Sequence, residues 1–208
     1  MLKLRSYQND CVVSIRECFT NKIKSVLTVL PTGGGKTVIF TYISQQSALK
    51  NKRVMILVHR VELLNQTSKA LNNFDVEHGL INPAYTPNFN ATVQVASVQT
   101  LIKRLGYLSA VNWEPDIIVV DEAHHATAGS WRKIINHFPN SKVLGVTATP
   151  IRSDGQGLGV QCGGLFDELI EGPTMPWLMD QGFLVRPRIF GTPEALDFSD
   201  VKSSMGDY

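Results

Sequence analysis

The run LPTGGGKT, Leu30 to Thr37, stands directly after Val26-Leu27-Thr28-Val29 and constrains the fold more than any other stretch of this chain. Three consecutive glycines have no side chains to pack, and glycine loses more conformational freedom on folding than any other residue. They belong where the backbone must bend sharply or approach another group closely. Here the bend leaves a buried strand and leads with Lys-Thr into a helical stretch, which is not the pattern of a glycine-rich hairpin. Backbone N–H groups in such a turn, together with the positive end of the helix that follows, form a cradle for an anion.

The rest of the chain supplies the frame for that turn. Val26–Leu30, Val54–Val58, Thr92–Ala96, Ile117–Val120 and Val143–Val146 read as strands, short and rich in β-branched residues. Most are apolar without alternation, as expected of strands covered on both faces; only Thr92–Ala96 alternates, at Gln94. Between them lie helical patterns at Thr37–Leu49, Arg60–Asn73, Val98–Leu105 and Ser130–His137. Tyr7–Phe19 is a helix ahead of the first strand, with Ser6 as its expected N-cap. This alternation predicts an α/β fold with a mostly parallel sheet and helices on both faces. Past Pro150 the pattern loosens: SDGQGLG reads as a mobile loop, Thr174 caps a short helix to Asp180, and Phe183–Phe190 reads as an edge strand, because Pro187 cannot donate to a ladder. At 43% hydrophobic and 18% charged, the composition is that of a packed globular domain.

As a P-loop, Thr32, Gly33, Gly34, Gly35 and Lys36 wrap a phosphate chain, Lys36 reaches the β- and γ-phosphates of ATP, and the Thr37 hydroxyl holds Mg²⁺. The pattern G-x-x-x-x-G-K-[ST] asks for glycine at position 30, where this chain has Leu30, so Pro31 starts the turn instead. Such a site needs a second acid. PDIIVVDEAHH provides Asp121 and Glu122 at the carboxyl end of a buried strand, where ligands bind in open α/β sheets. Asp121 is positioned to hold the metal through water and Glu122 to take a proton from the attacking water.

PTGGGKT, then DEAH (Asp121 to His124), then GVTATP with Thr147 and Thr149, in that order, resemble motifs I, II and III of superfamily 2 helicases. The resemblance runs from about Leu4 to Phe190 and implies the first of two RecA-like domains, residues 1–190, with 191–208 as a linker towards a second domain. By the same resemblance, Arg5 and Gln8 of LRSYQ meet the adenine, and His124 links the nucleotide to motif III. LVHRVELLNQ is similar to motif Ia and places Arg60 at a nucleic-acid backbone. VASVQTL is similar to the next element, with Ser97, Gln99 and Thr100 near phosphates. Thr147 and Thr149 become coupling residues, and His125 has no counterpart. The opening and the TATPIRSDGQGLG segment look most like the DNA group that includes type III restriction motor subunits. DNA is therefore the expected partner, with RNA as the alternative. A P-loop ATPase switch not acting on nucleic acid, or a module that only binds, are the other readings.

Net charge is +2, but residues 1–60 carry ten Lys and Arg against two acids, while 161–208 carry three against eight. That asymmetry fits either a polyanion-facing amino-terminal half or ordinary surface charge. Cys11, Cys18 and Cys162 form neither a disulfide framework nor a metal site, and are expected to be buried thiols in a reducing cytoplasm. No apolar run approaches the roughly 18 residues of a membrane span.

Overall fold

The computed structural model describes residues 3–126, 129–151 and 155–188. Seven strands form one sheet: β1 (Ser25–Val29), β2 (Val54–Val58), β3 (His78–Ile81), β4 (Val93–Ser97), β5 (Ile117–Asp121), β6 (Lys142–Thr147) and β7 (Glu168–Glu171). Their order is β3-β4-β2-β5-β6-β1-β7, and every pairing is parallel. The helices are α1 (Ser6–Thr20), α2 (Lys36–Ala48), α3 (Val61–Asn73), α4 (Val98–Ala110), α5 (Gly129–His137) and α6 (Met175–Asp180).

The unbroken apolar strands are explained by burial on both sides. Val54, Ile56 and Val58 of β2 join one core with Val12 and Ile15 of α1, Phe40 of α2 and Leu64 of α3. Met55 and Leu57 of the same strand join a second core with Leu101 and Leu105 of α4 and Trp131 of α5. Successive side chains point to opposite faces of a strand, so a strand between two helical layers is apolar at nearly every position; Thr28 of β1 and Gln94 of β4 are buried polar residues that depart from this. Each side chain fully buried this way contributes about 1.5–3 kcal/mol. The parallel α/β prediction with helices on both faces therefore holds, and the strand limits differ from the predicted ones by a residue or so.

Four expectations are corrected. Arg5, not Ser6, is the N-cap of α1; its extended backbone is held by its own N–H donating to Gln8 Oε1 at 3.0 Å. Phe183–Arg188 is not a strand: the N–H groups of Phe183 and Leu184 turn back onto the Leu178 carbonyl at 2.8 and 3.1 Å. Of the SDGQGLG segment, 153–154 lie outside the described residues, but Gly157 and Gly159 make bridges to Ile151 and Phe166, and Leu158 is buried. Cys162 is exposed, whereas Cys11 is buried and Cys18 half-buried. The expected linker at 191–208 also lies outside the described residues.

Leu30 accounts for the missing motif glycine. Its side chain is fully buried, and a Cβ on Gly172 would collide with it. The position before Pro31 has become a core position, and the turn begins one residue later.

Candidate active site

All seven strands run parallel, so their carboxyl ends gather on one edge of the sheet. The P-loop leaves β1 there, the Asp121-Glu122 turn leaves β5, and Thr147 ends β6. Val29 pairs with Thr147 in register, Asp121 pairs with Val146, and the Leu30 N–H donates to the Thr147 carbonyl at 3.0 Å. Residues far apart in the chain are thus held one ladder step from each other.

The P-loop has the backbone that its glycines predict. Gly33 and Gly35 have φ of 79° and 87°, a region that side chains with a Cβ rarely adopt. A Cβ on Gly33 would stand 2.8 Å from Leu184 Cδ2, and one on Gly35 would run into the Gln8 amide. Gly34 N–H closes the turn onto the Pro31 carbonyl at 2.9 Å. Gly35 caps α2, which begins at Lys36, so the first free N–H groups of the helix and the Lys36 side chain share one position. Thr32 and Thr37 are exposed at the rim. The buried Tyr7 hydroxyl donates to the Gly34 carbonyl at 3.0 Å. Tyr7 lies inside the LRSYQ run, but nothing local in that run marks it for this contact.

Glu122 has φ 51° and ψ 57°, left-handed for a residue with a long side chain. Such a conformation costs on the order of 1–3 kcal/mol and persists where surrounding contacts over-determine it. It turns the chain directly after β5, leaving Asp121 buried and Glu122 half-exposed. His124 Nδ1 lies 3.0 Å from Thr147 Oγ1 and 3.4 Å from Glu122 Oε2. The Thr147 hydroxyl donates to the Thr149 carbonyl at 2.9 Å. A hydroxyl has one proton, so towards His124 this oxygen accepts, and Nδ1 is the protonated nitrogen. Thr149 enters through its backbone: its N–H also donates to Thr147 Oγ1, at 3.2 Å. The expected bridge of two threonine hydroxyls is therefore centred on the fully buried Thr147.

Burial, and secondarily the negative charge of Glu122, push the Asp121 carboxyl up from 3.8 to about 6; the Glu122 N–H at 3.0 Å and Lys36 pull partly the other way. Burial lowers the His124 pKa, with the charge of His125 adding to it, which favours the neutral ring. A raised carboxyl pKa means that the fold prefers the neutral acid. Below about pH 4 Asp121 is protonated folded or unfolded, and it imposes no penalty. The penalty grows as pH rises from about 4 to 6 and is constant above, at roughly 3 kcal/mol. Asp121→Asn is accordingly expected to stabilise the ligand-free protein at pH 7–8 by on the order of 1–3 kcal/mol. The gain should vanish near pH 4. Urea melts at the two pH values check this, and an unchanged or lower midpoint at neutral pH would refute it.

Beside the P-loop, at the start of α1, Arg5 lies 4.7 Å over the Phe183 ring, and Tyr7, Phe183 and Trp177 form a ring cluster with centroids 5.3–6.1 Å apart. Gln8 is buried, at 4% exposed, between Arg5 and Gly35. Phe183 and Trp177 were invisible as site residues because nothing local sets them beside residue 7. On the other flank, Arg60 is the exposed N-cap of α3. Ser97 and Thr100 are buried with their hydroxyls 3.3 Å apart, and Ser97 also donates to Gln99 Oε1 at 3.2 Å. Gln99 is the exposed member of that group, and its Nε2 donates to the His59 carbonyl at 3.1 Å. His125 is exposed and its ring packs between those of His59 and His124, at 4.6 and 4.1 Å.

This donor set fits a nucleotide phosphate chain with a hard divalent cation. The glycine cradle leaves no room for side chains, Lys36 adds positive charge at a helix N-terminus, and Thr37 and Asp121 offer oxygen ligands. A cavity of about 330 Å³ lined by Arg16, Lys50, Lys52 and Lys142 lies instead at the amino ends of the strands, away from these groups.

Residues 1–152 match the family described as "Type III restriction enzyme, res subunit". IRC3 of Saccharomyces cerevisiae, whose name describes an ATP-dependent helicase, is 34% identical over 99% of this chain and 31% of its own length. The chain spans about a third of the length of the curated relatives it matches. The UvsW helicase of bacteriophage T4 superposes with a TM-score of 0.63 at 23% identity, over 80% of this chain and 59% of that one. The type ISP restriction-modification enzyme LlaGI, solved with a DNA substrate mimic, superposes with a TM-score of 0.68 at 22% identity, over 87% of this chain and 21% of that one.

Proposed function

This chain belongs to the family of the type III restriction enzyme res subunit, and from that membership we propose that it is the ATP-binding motor domain of a DNA helicase or translocase. The single observation that carries the reading is the convergence of three separate turns on one sheet edge: the P-loop, the Asp121-Glu122 turn and Thr147. The N–H groups of Gly33, Gly34, Gly35 and Lys36, with the Lys36 ammonium, bind the phosphates of ATP, and Thr32 lines the rim. Thr37 and Asp121 would hold Mg²⁺, whose charge would offset that of the β- and γ-phosphates. Glu122 accepts the proton of the attacking water. His124, donating from Nδ1 to Thr147, ties the acidic turn to the end of β6. Arg5 and Gln8 face the adenine side. Arg60 and Gln99 meet the nucleic-acid backbone, with Ser97 and Thr100 shaping that surface. Backbone contacts of this kind position a strand without reading its sequence.

A second RecA-like domain of the same protein is the proposed partner, closing over the nucleotide and supplying an arginine. Such a finger is worth about 10³–10⁵ in rate, so this domain by itself is expected to turn over slowly. DNA is favoured over RNA by the LRSYQ opening and by His124 at the fourth position of motif II.

The test measures ATP hydrolysis and translocation by the full-length protein with DNA and with RNA at one fixed salt concentration, since phosphate contacts are steeply salt-dependent. DNA is expected to stimulate hydrolysis more than RNA. Thr147→Ala should keep basal hydrolysis but lower movement per ATP, and Thr147→Ser should restore it. Hydrolysis indifferent to both polymers would overturn the reading.

A further inference from the structure

The motor reading leaves one contact unused. β2 and β5 are neighbours, paired in register up to Leu57 and Val120, so the residues after each strand emerge side by side. His59 and Arg60 follow β2; Glu122 to His125 follow β5. Across that gap the His59 and His125 rings lie 4.6 Å apart and tilted by 52°. His125 in turn lies 4.1 Å from His124, whose Nδ1 meets Thr147 and Glu122. On its other side, the His59 carbonyl accepts from Gln99, and the next residue is Arg60.

We propose that the His59–His125 ring stack is the mechanical link between the nucleic-acid surface at Arg60 and Gln99 and the turn that carries Glu122. The inference rests on the motor reading and adds two positioning residues to it.

Three observations support the link. His59 Nδ1 is buried without a hydrogen-bond partner among the described residues, so no bond at that nitrogen anchors the ring, and it follows the end of β2. Among the described residues the short turn Ala123–His125 is closed by two local backbone bonds, His125 N–H to the Glu122 carbonyl at 3.0 Å and Ala126 N–H to the Ala123 carbonyl at 2.9 Å. Its lateral position therefore depends on what its side chains touch. Finally, Glu122 already occupies a left-handed conformation, and a small displacement of the turn changes where its carboxylate points. A phosphate drawn onto Arg60 and Gln99 shifts the His59 backbone, the His59 ring pushes on His125, and the turn moves with it. Packed elements pass such shifts on because they deform little.

The test uses the full-length protein with single-stranded DNA. His125 is exposed, so His125→Ala should fold normally, with an unchanged melting temperature and unchanged DNA-free hydrolysis. DNA stimulation is expected to fall about three- to tenfold, the range that one aromatic pair supplies. His125→Phe, which keeps a flat ring, should recover most of it, whereas His125→Leu should not. His59→Ala should reduce stimulation similarly, and the double variant no further, because both remove one contact. Wild-type stimulation in His125→Ala, or additive losses in the double variant, would overturn the link while leaving the motor reading intact. A wild-type protein that DNA does not stimulate would overturn both.

Discussion

Glu122→Gln is expected to lower ATP turnover of the full-length protein by about 10²–10⁴-fold while nucleotide binding persists. Glutamine preserves the size of the side chain and a carbonyl that can still face His124 Nδ1, 3.4 Å away in the native turn. It cannot accept a proton from water. The backbone at this position has φ 51° for either residue, so the substitution adds no new strain. A side effect has the opposite sign. Glu122 is the second cause, after burial, of the raised Asp121 pKa. Removing its charge lets Asp121 ionise more readily, which favours cation binding. Loss of turnover with equal or tighter binding of ATP–Mg²⁺ is therefore the expected pair of results. Steady-state hydrolysis together with calorimetry reads both. Hydrolysis at the wild-type rate would assign the base to another group.

Lys36→Ala is expected to weaken ADP–Mg²⁺ binding by at least an order of magnitude, for two reasons that add. The first is the lost charge-assisted contact to phosphate, worth about 1.5–3 kcal/mol. The second runs through Asp121, whose carboxyl Lys36 helps to hold in its ionised form. Without that ammonium, Asp121 shifts further towards the neutral acid and becomes a poorer ligand for a cation. The defect should therefore be larger at pH 6 than at pH 8, since at pH 8 Asp121 is ionised in either protein. Calorimetry with ADP at the two pH values separates the contributions. Equal affinity of wild type and variant at both would remove Lys36 from the nucleotide site.

Much of this molecule was legible because its strongest signals are local. Five of the seven strands announce themselves as β-branched runs, and burial on both faces requires such runs. Gly33 and Gly35 mark positive φ because a Cβ is costly there. Asp121 ends β5 and Glu122 follows it, and open parallel sheets bind ligands at the carboxyl ends of their strands. The two strands that were missed had no such signal. β3 reads His-Gly-Leu-Ile with only alternate positions buried, and β7 reads Glu-Leu-Ile-Glu and is largely exposed. Both are edge strands, held by backbone hydrogen bonds to one neighbour, and backbone bonds leave no mark on side-chain choice. Phe183–Phe190 erred in the other direction. Phe183 is spent on a tertiary contact with Tyr7 and Trp177 rather than on a ladder, and 189–190 lie outside the described residues.

By itself, then, the sequence determined the α/β class, the glycine turn and the acidic pair at the end of β5, each through a steric or periodic rule that acts over a few residues. Only the tertiary structure decided that Tyr7 braces Gly34, that Thr147 rather than Thr149 contributes the bridging hydroxyl, and that His59 stacks on His125. Each of these contacts joins residues brought together by strand order. Strand order emerges from packing all the layers at once, a constraint that no short window of the chain contains.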